Sequence, residues 1–113
     1  MRELPSMQTR ETTTNRLVCG LDDSEHAPVV ASVAVELAAR LHLRLCVVHS
    51  VSPDQYPAGW QAERLLDRGV EFLDRLIPRD TPHERVVELG DPANLLRTVL
   101  ARGADLAVVG SAS

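Results

Sequence analysis

The chain has 113 residues, enough for one domain, and 16 acidic against 12 basic residues leave a formal net charge of −4. That balance supplies no electrostatic footprint for nucleic acid, whose affinity comes largely from neutralised phosphates. Apolar residues make up 44% of the chain but aromatics only 3%. The core must therefore be Val, Leu and Ala packed in layers, and a base-stacking platform is excluded.

Residues 1–15 show neither helical nor strand periodicity and read as a disordered leader, with the domain expected over 16–113. There is no apolar h-region in the leader and no run of about 18 apolar residues anywhere, so neither secretion nor membrane spanning is supported and a cytoplasmic location is expected.

Leu17 to Leu21 is a short apolar run of the kind buried on both faces of a sheet, and Asp22, Asp23 and Ser24 follow as helix-starting residue types. Ser24 or Asp23 is the expected N-cap, and Pro28 falls in the first turn, where a missing N–H does least harm. Val29, Val30, Val33, Ala34, Leu37, Ala38 and Leu41 then draw one apolar stripe down a helix. Leu43 to Val51 reads as a second interior strand. Ser52 to Gly59, with Pro53 and Pro57, is a loop. A second helical pattern from Trp60 runs through Leu66, Val70, Leu73 and Ile77 to a stop at Pro78, and Gly69 inside it marks a close helix-to-sheet approach. His83 to Leu89 is a more polar strand, expected at a sheet edge. In Gly90-Asp91-Pro92, glycine supplies a turn, Asp91 an N-cap and Pro92 the first helical position. Leu95, Leu96, Val99 and Leu100 stripe a third helix, Gly103 ends it, and Asp105 to Val109 is a fourth strand.

The order β-α-β-α-β-α-β requires crossover connections and hence a parallel sheet covered on both faces. In such sheets ligands sit beyond the carboxyl ends of the strands, which makes the acidic turn after the first strand the leading candidate site. Cys19 and Cys46 fall inside buried strands and are expected to be reduced core thiols. His26, His42 and His83 lack ligand spacing, so no metal site is expected. His49, at a strand end, reads as a packed residue hydrogen-bonded to backbone. No phosphate-loop, dinucleotide or nucleophile-elbow motif is present, and no catalytic residues are assigned.

In the order and spacing of the strand ending in Asp22-x-Ser24, the Val47-Val48-His49 strand end, the Gly90-Asp91-Pro92 turn and the run Gly103-Ala104-Asp105-Leu106-x-Val108-Val109-Gly110-Ser111, the chain resembles the universal stress protein family from Arg16 to Ser111. The resemblance implies a Rossmann-like open parallel sheet of four strands with helices on both faces, related to the adenine nucleotide alpha hydrolases. It also implies a homodimer or another protein partner, and ATP or another adenine nucleotide as ligand. Carried over position by position, Asp22 is the aspartate beside the nucleotide, Leu21 lines the same cleft, Ser50 offers its backbone to adenine, and Gly110 with Ser111 begins the phosphate loop. The family's second loop glycine would fall at Ser113, where the sequence stops. Its later Gly-Ser pair and fifth strand are absent, so the domain is expected to be C-terminally incomplete, truncated before the fifth strand. Asp22 and Asp23 would repel a bare triphosphate by about 1 to 4 kcal/mol per close pair. The expectation is a stress-response or signalling module that binds ATP weakly, with magnesium offsetting the repulsion, and favours adenosine or a monophosphate. It would not be a dedicated enzyme; slow ATP hydrolysis would need an ion held by Asp22. The alternative is an interaction module without nucleotide that associates through the edge of its fourth strand.

Overall fold

The structure, a computed structural model, describes residues 15–53 and 59–110. Along them run β1 (Arg16–Leu21), α1 (Ala27–Leu41), β2 (Arg44–Val51), α2 (Ala62–Leu76), β3 (His83–Leu89), α3 (Pro92–Leu100) and β4 (Leu106–Val109). The strands form one parallel sheet in the order β3-β2-β1-β4. The leader, apart from Asn15, the loop positions Asp54 to Ala58, and Ser111 lie outside the described residues.

Helix placement follows from handedness. Crossovers between parallel strands are right-handed in nearly all cases. Stepping from β1 to β2 to β3 in one direction therefore puts α1 and α2 on one face, and the return step to β4 puts α3 on the other. The two cores show this division. Leu17, Cys19, Leu21, Leu45 and Val47 pack under α1 and α2, and Val18, Cys46 and Val48 pack under Leu95 and Val99 of α3. The strands β1 and β2 are thus interior, and β3 lies at an edge, as its polar composition requires.

The apolar stripe expected on α1 is rotated from the face that is buried. Ala27, Ala31, Ala34 and Ala38 face the core, with Val30 and Leu37 beside them, while Val29 is 65% exposed, Val33 43% and Leu41 52%. Alanines at i, i+4, i+7 and i+11 let the helix axis approach the sheet more closely than valines would, and that contact outranks the larger side chains' own transfer energy.

The start of α1 also differs from expectation. Its N-cap is His26, with no side-chain cap, rather than Ser24 or Asp23. Ser24 is engaged one turn earlier: its N–H and hydroxyl both donate to Asp22 Oδ1, at 3.0 and 2.6 Å, and its Oγ accepts from the His26 N–H at 3.2 Å. The side chain of Asp22 thereby closes a turn of the kind Asp residues favour, which delays the helix by two residues. At the other end His42 takes the left-handed C-terminal position, φ 57°, and Leu43 donates back to Ala38 O, so β2 begins at Arg44.

Gly69 does sit where α2 meets the sheet. A Cβ there would stand 2.6 Å from Val87 Cγ1 and 2.8 Å from Val51 Cγ2. At the start of α3, Asp91 accepts from the Asn94 N–H at 3.2 Å and Pro92 follows in the first turn.

Candidate functional site

The strand order reverses at β1, which has its successor β2 on one side and β4 on the other. Such a switch point leaves a gap between the loops on either side, and ligands of open α/β sheets bind there, outside the carboxyl ends. Leu21 is in register with His49, and Gly20 with Val109. One step further along, Asp22, Ser50 and Gly110 therefore stand at nearly one level, Ser50 still within β2.

A crevice of about 200 Å³ opens at this rim, and Leu21, Asp22, Ser50 and Gly110 all line it. Four of the five positions singled out in the sequence are thus brought together; the fifth, Ser111, is outside the described residues. Pro92 and Ala93 at the start of α3, with Leu96 one turn on, form a wall that sequence reasoning did not assign, and Gly20, Val48 and Val109 complete the lining. The signal was available: in a parallel sheet every β-to-α turn emerges at the carboxyl rim, so the Gly90-Asp91-Pro92 turn had to lie near Asp22.

Each lining residue is fixed for a local reason. The Asp22 carboxyl is held below the usual carboxylate range, first by the Ser24 hydroxyl, with partial burial opposing and the Ser24 N–H adding to the lowering. Both Ser24 bonds fall on Oδ1, so Oδ2 has no partner among the described residues. The Ser50 hydroxyl donates to the carbonyl of Gly90, tying the end of β2 to the turn that starts α3. His49 is the packed residue expected: it is 6% exposed, its Nδ1 lies 2.9 Å from Leu21 O, and its ring lies against Phe72 at 4.6 Å between centroids. At Gly110 a Cβ would stand 2.7 Å from Val30 Cγ2. Close approach of α1 is therefore sufficient reason for glycine at that position, whatever else its backbone contacts.

The chemistry of the crevice is one-sided. Its walls are mostly apolar, one carboxylate stands at the rim, and none of the lining residues is Lys or Arg. A flat, largely apolar ring with hydroxyl groups at one end matches that lining. A polyphosphate finds only the amino-terminal end of α3, whose orphan N–H groups carry partial positive charge. No group of three His, Cys, Asp or Glu side chains able to hold a metal is found among the described residues. A larger cavity of about 620 Å³ lies at the opposite rim, between Val35 and Ala38 of α1 and the segment Thr81 to His83. It contains none of the predicted site residues and stands at the amino ends of the strands, away from the switch point.

No helix among the described residues is long and apolar enough to cross a membrane.

Comparison with known proteins bears on the fold and the family. No curated protein matches the chain in sequence. Among solved structures, universal stress protein UspA from Lactobacillus plantarum superposes with a TM-score of 0.65 at 19% identity, over 89% of this chain and 81% of that one. A universal stress protein in complex with cAMP gives 0.58 at 19% identity, over 86% and 76%. A member of the same family from Burkholderia pseudomallei gives 0.52 at 24% identity, over 87% and 82%. These likenesses speak to the fold, which is the four-stranded Rossmann-like sheet described above. The family model for universal stress proteins matches residues 13–113, nearly the whole sequence, and on that match the chain belongs to the universal stress protein family.

Proposed function

We propose that the protein is a cytoplasmic module of stress response or signalling that binds an adenine nucleotide weakly in the crevice at the carboxyl ends of β1, β2 and β4. The observation that carries this reading is the convergence of Leu21, Asp22, Ser50 and Gly110 on one crevice at the switch point. A family relative in complex with cAMP supports the choice of an adenine nucleotide. In this reading Leu21, Val48 and Leu96 flank the base, and the free Oδ2 of Asp22 accepts from ribose hydroxyls. With one carboxylate and no cation in the lining, adenosine or a monophosphate binds better than ATP, and magnesium narrows the difference by offsetting the charge repulsion. The module acts by binding; slow hydrolysis of ATP would require an ion held by Asp22 to activate water. Isothermal titration with adenosine, AMP and ATP, with and without magnesium, tests the reading. Heat at millimolar ligand, weakest for ATP without magnesium, is expected. Its absence from protein shown to be folded would overturn the binding claim.

One feature favours a second reading, in which the module associates with itself or a partner through its sheet edge. At β4, the strand at the β1 side of the sheet, Val109 is 54% exposed. An apolar strand edge of this kind recruits a further strand. Sedimentation velocity across a hundredfold concentration range should show association, and a single monomer species throughout would remove the idea.

A further inference from the structure

Gly20 is the glycine among the described residues that neither backbone conformation nor packing accounts for. Gly59, Gly90 and Gly103 have positive φ, at 95°, 127° and 109°. At Gly69 and Gly110 an added Cβ would stand 2.6 Å from Val87 Cγ1 and 2.7 Å from Val30 Cγ2. Gly20 lies inside β1, where glycine is disfavoured because it loses the most freedom on folding and brings no side chain to pack. A Cβ there would meet Val109 Cγ1 at 3.2 Å and Leu96 Cδ1 at 3.4 Å, and these neighbours need to give by only a few tenths of an ångström. Both are the ends of side chains, and Val109 is 54% exposed on the edge strand β4. The fold by itself therefore tolerates alanine at this position.

The crevice does not. Gly20 is in register with Val48 on one side and Val109 on the other, and all three line the crevice. Val18, two residues earlier, packs in the core under α3, so Gly20 presents its bare Cα to that same face. Leu96, one turn into α3, lies over it and lines the crevice as well. With no Cβ on β1 at this level, Leu96 and Val109 settle toward the sheet and the floor of the crevice is the backbone of the strand. A methyl group would move both side chains outward, and the space they take is the crevice itself. The floor offers no hydrogen bonds, because β1 is paired with β2 and β4 on its two sides. A bare, flat, hydrogen-bond-saturated surface beside apolar side chains suits the face of an aromatic ring and gives a sugar hydroxyl nothing to bond.

We propose that Gly20 is the specificity-determining residue of the crevice: it sets the depth at which a flat heteroaromatic base lies against β1, between Val48 and Leu96. The inference rests on the nucleotide reading and deepens it, since it names the part of the ligand that is recognised. The ring is selected by shape, and a ribose phosphate without a base is not held.

The test compares adenosine, indole and ribose 5-phosphate on the wild-type chain and on Gly20→Ala, with binding followed by proton signals of the folded protein. Adenosine and indole should bind the wild type and ribose 5-phosphate should not. The α-proton signals of Gly20 should move upfield with either ring, as protons beneath an aromatic face do. Gly20→Ala should weaken adenosine by at least about tenfold, the discrimination one extra carbon in an apolar pocket gives, with the thermal midpoint unchanged or raised. In a Leu96→Ala background the same substitution should cost little affinity, because the side chain that the methyl displaces is gone; a general loosening of the sheet would cost as much in both backgrounds. Equal adenosine affinity in Gly20→Ala, unmoved Gly20 signals at saturating adenosine, or ribose 5-phosphate binding as tightly as adenosine would overturn the inference and leave the nucleotide reading standing. A markedly lowered midpoint in Gly20→Ala would also overturn it, by showing that packing is the reason for glycine. Indole moving the Gly20 signals without any binding of adenosine would overturn the nucleotide reading and leave the ring-selecting floor in place. No response to adenosine or indole from folded protein would overturn both.

Discussion

At the scale of single residues, Asp22 does two jobs with one carboxylate. Oδ1 organises the turn into α1 through Ser24, and the residue also lines the crevice. Because the Ser24 bonds lower its pKa, the stability it contributes is present above the unfolded-state value of about 3.9 and is lost as pH falls through the lower folded value. Asp22→Asn should therefore lower stability by about 1 kcal/mol near pH 7, with the gap to wild type closing below about pH 4 as the wild-type carboxyl protonates. Urea midpoints at the two pH values read this directly, and a gap independent of pH would contradict it. Cys19 gives a second residue-scale prediction. Burial, with a smaller contribution from Cys46, has its thiol pushed up to about 12, so almost no thiolate exists at neutral pH. Ellman's reagent should find Cys19 inert in the native protein and reactive in denaturant; prompt reaction of the native protein would show that the thiol is accessible.

At the scale of elements, short sequence signals and long ones had different fates. The Gly90-Asp91-Pro92 turn, Pro28 in the first turn of α1 and the polar character of β3 were legible because each rests on local backbone chemistry. The buried face of α1 was not. Hydropathy favours its valines, but the helix meets the sheet through alanines, and only the distance between the layers decides between them. The N-cap of α1 was missed for a related reason, since three consecutive capping residues compete and the Asp22–Ser24 bond settles the competition. Gly69 lies between these cases: a glycine inside a helix costs about 1 kcal/mol relative to alanine, which pointed to close packing without naming the partner. Gly69→Ala gains that propensity and yet should destabilise the protein by about 1–3 kcal/mol, because its methyl would press on Val51 and Val87, β-branched side chains held in the sheet. Thermal denaturation measures the sign, and a stabilised variant would mean that α2 can lift away from the sheet freely.

At the scale of the molecule, the parallel sheet with helices on both faces follows from the alternation of elements and from handedness, and it is what brings the site together. Leu21, Asp22, Ser50 and Gly110 are separated by up to 89 positions in the chain, and the order β3-β2-β1-β4 places them on one rim. That the rim would gather them could be foreseen from topology. That the start of α3 would lie near it could be foreseen from the Gly90-Asp91-Pro92 turn, but that a pocket lined by Arg68 and Arg75 would adjoin it depends on how α2 lies over the sheet and left no mark in the sequence that periodicity could read. The central claim is that this rim, rather than the larger cavity at the amino ends of the strands, receives the nucleotide. A titration of isotope-labelled protein with AMP, followed through backbone amide signals, tests it most directly. The account predicts concerted shifts at Leu21, Asp22, Ser50 and Gly110, with Val35, Ala38 and His83 unmoved; shifts confined to the latter three, or none at saturating ligand, would contradict it.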